Sequence, residues 1–470
     1  MKVLLLNPPR KHIYNPAIRP FTEFTYAKIS EDKRTYFLPP LEFTYIASLL
    51  EKNGHKVSFI DMNLEANPSK EVESIIIDER PHIVITTSSP RHEWRCPVVS
   101  TAHVTSITKL IKNIDNSIMT AIIGVHGTYE PLQLLKKPYI DYVIRGEPEY
   151  ACLELINILS GKGGNTRGIC YKDRDGKLYI NHTNSIPFDF KINPDYDILD
   201  IERYAKIAEK YSLKGTFMLI EASRGCPYNC TFCLKLMFKN GAYRAKPIST
   251  IIKEIKLLSR RGVEAICFVD ETFTLDNGRT RILLEKLLEE RIQINWWCQT
   301  RPDRISGALL PMMKRAGCRE IDFGVESLNQ SVLKRLNKNM NPRRILKILK
   351  YTKKHDIIPK AFMLLFAPGD TVESMIKSIL QIAKLRITCY ASITIPYPTT
   401  DIWYEGIKEG KITEGSWEEA IKVAGTIGTR YSRQDVMRLV PKIWNEVNKI
   451  LKEESGINGL KKETENHELL

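Results

Sequence analysis

Short, almost wholly apolar runs alternate with amphipathic stretches through the first part of the chain. Val3 to Leu6, Val57 to Ile60, Ile83 to Thr87, Met119 to Ile123 and Tyr142 to Ile144 have the length and β-branched content of buried strands. Between them Leu41 to Glu51, Val72 to Ile77, Val104 to Ile111 and Glu149 to Leu159 read as helical stretches. Strand and helix in alternation predict a doubly wound, Rossmann-like parallel domain of flavodoxin type. Gly168 to Tyr171 and Lys177 to Ile180, split by Asp-Arg-Asp-Gly, predict a hairpin that closes this domain near residue 185. From Ser185 to Asp200 the pattern lapses around Pro187 and Pro194, so residues 186–215 are expected to be a linker.

A second alternation follows. Phe217 to Glu221, Ala265 to Val269, Ile294 to Cys298, Glu320 to Val325, Ala361 to Phe366 and Ala391 to Ile395 are six strand-like runs separated by helical stretches, which predicts a partial (β/α)6 TIM-type barrel over residues 216–400. Residues 401–470 carry helical stretches at Trp417 to Val423 and Arg433 to Leu451 and a charged tail from Lys452, so a small helical C-terminal region is expected.

Composition narrows the class. With 43% hydrophobic and 27% charged residues the chain is globular, and 470 residues call for more than one core. No apolar run has the length of a membrane span, and Met1-Lys-Val-Leu-Leu-Leu-Asn7 lacks the form of a signal peptide, which points to the cytoplasm. The formal charge of +15 suits an anionic partner without naming one. Of ten cysteines, seven (Cys96, Cys152, Cys170, Cys267, Cys298, Cys318 and Cys389) are scattered, several of them in apolar runs, as reduced core thiols are.

The other three stand together. Glu221-Ala-Ser-Arg-Gly-Cys-Pro-Tyr-Asn-Cys-Thr-Phe-Cys-Leu234 sets Cys226, Cys230 and Cys233 in a C-x3-C-x2-C pattern directly after the first barrel strand. Structural zinc needs a fourth ligand, and neither His nor Cys follows within thirty residues. Three thiolates suit a [4Fe-4S] cluster with one iron left for a ligand. The spacing, with aromatic Phe232 before the last cysteine, resembles the radical S-adenosylmethionine (SAM) superfamily. That resemblance implies that Cys226, Cys230 and Cys233 hold the cluster, that the open iron chelates SAM, and that one electron cleaves SAM to a deoxyadenosyl radical.

The later strand ends extend the resemblance. Val269-Asp-Glu-Thr-Phe273 stands where the superfamily receives the amino group of SAM, which implies roles for Asp270 and Glu271. Arg301 in Gln299-Thr-Arg301 resembles the arginine facing the SAM carboxylate, where a planar guanidinium pairs in bidentate fashion. Gly324-Val-Glu-Ser327 resembles the ribose-binding motif, with Glu326 and Ser327 as its polar members. The family commonly has glycine where Thr399 stands.

In the first domain, polar and glycine residues collect where the strands end: Asn7, Asp61, Thr86-Thr-Ser-Ser89, Gly124-Val-His-Gly-Thr128 and Arg145-Gly-Glu147. With Leu4-Leu-Leu-Asn-Pro-Pro9 and Pro39-Pro-Leu-Glu-Phe-Thr-Tyr45 they resemble the cobalamin-binding domain that precedes many radical SAM domains. The resemblance implies cobalamin contacts at Thr86, Ser88, Gly124, His126, Gly127, Gly146 and Glu147. The family usually has glycine where Ile123 stands, and no D-x-H-x-x-G follows the first strand, so a histidine-to-cobalt bond is not implied. His12 and His126 are the histidines considered as contacts.

These readings leave three functions open. One is a cobalamin-dependent methyltransferase acting on an unactivated carbon, using SAM both as methyl source and as radical source. A second is a radical SAM cyclase, coupling or lipid-modifying enzyme that does not use its first domain for cobalamin. The third is a corrinoid or iron-sulfur sensor, which would not need the SAM-facing residues. A methylthiotransferase would need three more cluster cysteines than the scattered Cys96, Cys152 and Cys170 offer. Expected partners are a small-molecule, lipid or other anionic substrate and a reductant such as flavodoxin or ferredoxin. Nucleic acid is not among them.

Overall fold

A computed structural model describes residues 1–9, 21–25, 28–30, 38–65, 67–94, 97, 99–173, 175–182, 187–209, 215–234, 242–413 and 415–455. The chain forms two compact units. The first comprises Met1–Ile18, Arg34–Lys210 and Leu234–Thr250, and the second Arg19–Lys33, Tyr211–Cys233 and Ile251–Leu470. Residues 186–209, expected to be linker, thus group with the first unit and include the helix Ile201–Glu209. His12, Cys96 and the tail beyond Ser455 lie outside the described residues.

Five parallel strands build the first sheet: β1 (Lys2–Asn7), β2 (Lys56–Asp61), β3 (Ile83–Thr87), β4 (Met119–Ile123) and β5 (Tyr142–Ile144). Their order is β2-β1-β3-β4-β5, and an antiparallel hairpin of β6 (Ile169–Lys172) and β7 (Leu178–Tyr179) extends the sheet past β5. The pleat sorts alternate residues of β1 to opposite faces. Val3 and Leu5 pack on Phe43 and Ile46 of the helix Leu41–Lys52 and on Leu155 of Pro148–Leu159. Leu4 and Leu6 pack on Val72 and Ile76 of Pro68–Glu79 and on Ile107 and Ile111 of Ala102–Ile114. Helices therefore cover both faces, which is why the strands are apolar throughout. The strand order reverses between β1 and β3, and sheets of this kind open a ligand crevice at that reversal.

The second unit is an open barrel of parallel strands in sequential order: β8 (Phe217–Ile220), β9 (Ala265–Phe268), β10 (Asn295–Thr300), β11 (Cys318–Glu326), β12 (Ile358–Leu365) and β13 (Thr388–Ile393). Helices such as Asn277–Glu289, Pro342–Lys354 and Val372–Ala383 return the chain between strands. One barrel face is sealed by apolar side chains, among them Ile266, Phe268, Trp296, Phe323 and Ala361. The strand register puts Cys267, Trp297, Gln299, Glu320, Asp322 and Lys360 on the other face. That face is polar and aromatic, and Lys360 forms a buried ion pair with Glu320 at 2.6 Å. A short hairpin, Phe21–Thr25 with Lys28–Ser30, adds antiparallel to the free edge of β13. No run in the sequence predicts it, because edge strands this short need no sustained alternation.

Among the described residues no helix is long and apolar enough to cross a membrane.

Candidate functional site

The barrel site is built on the loop that leaves β8. Cys230 is buried, while Cys226 and Cys233 are partly exposed. Two acids from the end of β9 hold the loop in place. Asp270 accepts the Ala222 amide at 2.9 Å and the Ser223 hydroxyl, and Glu271 accepts the Gly225 amide at 2.8 Å. The hydroxyl of Thr272 stands 3.7 Å from Cys226 Sγ. Behind the loop, Arg224 and Glu221 form a fully buried ion pair at 2.7 Å. Burial pushes the Asp270 carboxyl up to about 6 despite the two bonds it accepts.

Arg301 reaches the cysteines from the end of β10. Its guanidinium lies 3.9 Å from the Tyr228 ring centroid, donates to Cys230 Sγ at 3.6 Å and pairs with Asp303 through both carboxylate oxygens. Burial pushes the Cys230 thiol up, and the cations Lys338 and Arg301 oppose that rise. At the end of β11 the register shifts between Gly324 and Glu326, and Glu326 takes a left-handed φ of 63°. Glu326 Oε1 accepts from Lys338 Nζ at 2.8 Å. Ser327 shapes the turn, its amide donating to the Val325 carbonyl and its hydroxyl accepting from the Asn329 amide. Phe366 after β12 (φ 55°) and Thr399 after β13 (φ 67°) are also left-handed. Glu326 ends β11, while Phe366 and Thr399 follow β12 and β13, so all three stand on the side of the barrel where the strands end and where such folds place their sites.

Of the barrel residues singled out in the sequence, the structure brings Cys226, Cys230, Asp270, Glu271, Arg301 and Glu326 to one mouth. Asp270 and Glu271 brace the cysteine loop there. Phe232 packs on Val332, Leu336, Ala367, Ile402 and Ile427. Lys338 had no signal in the sequence, since a lone lysine in a loop carries no pattern.

In the first unit, the ends of β3 and β4 interlock. Ser88 N donates to the Ile123 carbonyl, Val125 N donates to Ser89 Oγ, and Trp94 Nε1 donates to the Ser89 carbonyl. Gly124 has φ 104°, and a Cβ there would stand 2.7 Å from Ser88 Oγ and 3.0 Å from Ser89 N. A Cβ on Gly127 would lie 2.5 Å from Val143 Cγ1. At both glycines a neighbouring strand end therefore packs too close for a side chain. Ile123 is fully buried in the core with Ile85 and Ile144, so it points away from the strand-end loop. Thr128 Oγ1 accepts the Gly146 amide at 2.9 Å, linking the β4 and β5 loops. Glu147 is committed within the unit, to the Phe188 amide at 3.1 Å and the Arg244 guanidinium at 2.5 Å. His126 is buried 6.5 Å, ring to ring, from His103, a neighbour that the sequence did not mark.

Burial holds the Asp61 carboxyl above the usual carboxylate range against Tyr204, Asn7 and Asn63. Thr86 Oγ1 and Ser88 Oγ, by contrast, are buried and make no hydrogen bond. Leaving a hydroxyl in that state costs about 1–3 kcal/mol, and such groups at a crevice call for a ligand.

Residues 220–382 match the Radical SAM superfamily, and residues 28–156 match the B12 binding domain. The chain is a radical SAM enzyme that carries a cobalamin-binding domain ahead of its barrel. It is 29% identical over 396 residues to an uncharacterized methyltransferase of Pyrococcus horikoshii, covering 81% of each chain. To the anaerobic magnesium-protoporphyrin IX monomethyl ester cyclase of Rubrivivax gelatinosus it is 26% identical over 380 residues, 78% of this chain and 66% of that protein. In fold it resembles the radical SAM methyltransferase TsrM of Kitasatospora setae, solved with cobalamin and a [4Fe-4S] cluster. The TM-score is 0.68 at 16% identity, over 87% of this chain and 75% of that one.

The residues present fit these cofactors. Among the described residues no three His, Cys, Asp or Glu side chains converge on a single ion, but thiols that each bind a different iron of a cluster need not do so. Two cations stand by the most buried thiol. In the first unit, orphaned hydroxyls at the strand reversal suit the amide and phosphate groups of cobalamin. Cys152 and Cys170 are buried thiols pushed up by burial, as core cysteines are, and do not resemble a second cluster site.

Proposed function

We propose that this chain is a cobalamin-dependent radical SAM methyltransferase that places a methyl group on an unactivated carbon. The observation that carries this reading is the pairing, in one chain, of a three-cysteine loop at a barrel mouth with unpartnered buried hydroxyls at the switch point of a B12-binding domain. When bound, the cluster with SAM supplies a carbon radical able to take hydrogen from an unactivated position, and cobalamin supplies a methyl carrier.

The chain's own residues set the geometry. Cys226, Cys230 and Cys233 hold the cluster, with Arg301 and Lys338 favouring the thiolate of Cys230. Asp270 and Glu271 fix the loop. With Glu326 Oε1 committed to Lys338, Oε2 is the oxygen that accepts from the ribose hydroxyls of SAM. Thr86 and Ser88 bind polar groups of the corrinoid, with Gly124 and Gly146 shaping the loops beside them. The polar and aromatic barrel face receives the substrate, a small molecule, a lipid or another anionic compound. The six described cysteines outside the cluster loop are free thiols, in keeping with a cytoplasmic enzyme served by flavodoxin or ferredoxin.

Anaerobic incubation with cobalamin, a reductant and methyl-labelled SAM tests the reading. Formation of both S-adenosylhomocysteine and deoxyadenosine, with label leaving SAM, is expected. Deoxyadenosine alone would favour the corrinoid-independent chemistry of a cyclase or coupling enzyme. Consumption of no SAM would favour a sensor.

A further inference from the structure

Lys338 lies in Leu336-Asn-Lys-Asn-Met340, between the helices Gln330–Arg335 and Pro342–Lys354, and is 5% exposed. Its ammonium donates to Glu326 Oε1 at 2.8 Å and to the Gly324 carbonyl at 2.7 Å. A Cβ on Gly324 would stand 2.9 Å from that ammonium and 3.0 Å from Glu326 Oε1, so the glycine makes room for both head groups. The main chain of Lys338 faces the cysteines. Its carbonyl accepts Arg301 Nη2 at 2.9 Å, and Nη1 of the same guanidinium reaches Cys230 Sγ. The adjacent residues are joined to the cysteine loop twice more. Thr231 N donates to the Leu336 carbonyl at 3.2 Å, and Asn337 Nδ2 donates to the Asn229 carbonyl at 2.7 Å.

We propose that Lys338 is a positioning residue that ties the SAM-facing acid to the cluster loop, so that one side chain sets both SAM affinity and the cluster's reduction potential. This rests on the roles given above to Glu326 and the three cysteines. By holding Oε1, Lys338 fixes the carboxylate and directs Oε2 to the ligand. Its positive charge beside the cysteine loop favours the added electron, because net charge and hydrogen bonding near the sulfurs set such potentials. The pair is buried, so removing the lysine leaves an acid without compensation.

The test compares full-length, anaerobically reconstituted variants by iron content, SAM dissociation constant and cluster midpoint potential. Lys338→Met is expected to keep about four irons per chain, to bind SAM about tenfold more weakly, the size of one lost hydrogen bond to a charged group, and to shift to a lower potential. Lys338→Arg is expected to restore the potential and only part of the affinity, since a guanidinium fork does not reproduce a compact ammonium. Gly324→Ala, which keeps the lysine but crowds its head group, is expected to weaken SAM binding with little change in potential. Glu326→Ala serves as the separate check on the SAM assignment. If Lys338→Met matched wild type in affinity and potential while Glu326→Ala lost SAM, the coupling would be refuted and the SAM assignment would stand. If Glu326→Ala bound SAM like wild type, the SAM assignment would fall. Should Lys338→Met fail to assemble its cluster, Gly324→Ala decides: unchanged SAM affinity there overturns the proposal.

Discussion

Thr399 shows what a single residue can disclose. A β-branched side chain at φ 67° is a rare backbone state, costing on the order of 1–2 kcal/mol, and it falls where the family resemblance implies glycine. Thr399→Gly relieves that strain at the expense of a more flexible unfolded chain, so a net gain of about 1 kcal/mol is expected. A denaturant midpoint that fell would mean that contacts of the Thr399 side chain outweigh the strain. Asp270 discloses a pH dependence. Burial raises its carboxyl from 3.8 to about 6, so the folded chain binds more protons than the unfolded chain between those limits. Its contribution to stability is therefore greatest below about pH 4 and declines as pH rises to about 6, then stays level. In equilibrium denaturation, wild type minus Asp270→Asn should decline across that window, and a difference that rose or stayed flat would contradict the burial argument. The family resemblance implied a SAM-facing role for Asp270, because Val269-Asp-Glu-Thr-Phe273 stands where the superfamily receives the amino group of SAM. Only the structure reveals that the Ala222 amide and the Ser223 hydroxyl take up its oxygens.

At the scale of elements, the ends of β3 and β4 are where the first unit gives up stability for binding. Thr86 and Ser88 bury hydroxyls without partners, whereas Gly124 lets the two loops close on each other. The two kinds of residue make opposite predictions. Thr86→Val and Ser88→Ala should leave the cobalt-free protein as stable or up to about 1 kcal/mol more stable, because each removes an unsatisfied buried group, and both should weaken hydroxocobalamin binding. A loss of stability in the cobalt-free protein would mean that these hydroxyls serve the fold. Gly124→Ala should instead destabilise the unit outright, since its Cβ collides with Ser88 and Ser89. A larger residue there is therefore not a selective block on ligand binding. Strand existence and order were legible, because apolar runs alternating with helical stretches leave few topologies open. Which strand-end polar groups are spent on the protein was not. Asp61 stood among the polar strand-end residues and Glu147 among the cobalamin contacts that the resemblance implies; in the structure Asp61 is held by Tyr204, Asn7 and Asn63, and Glu147 by Phe188 and Arg244.

At the scale of the molecule, two units with separate cores each place a polar edge at the carboxyl ends of parallel strands. The cysteine spacing made the barrel site readable at once, because three thiols in eight residues are hard to account for except by a cluster. Lys338 remained hidden, as its meaning depends on a loop that reaches Glu326 and the cysteine loop only after folding. The central claim is that both units are loaded, one with iron and sulfide and the other with cobalamin. The most direct measurement is quantitation of iron and cobalt in full-length protein purified anaerobically with hydroxocobalamin, read together with SAM cleavage on reduction. About four irons and one cobalt per chain, with cleavage lost in Cys230→Ala, are expected. Protein that cleaves SAM but retains no cobalt, or a Cys230→Ala variant that still cleaves it, would contradict the account.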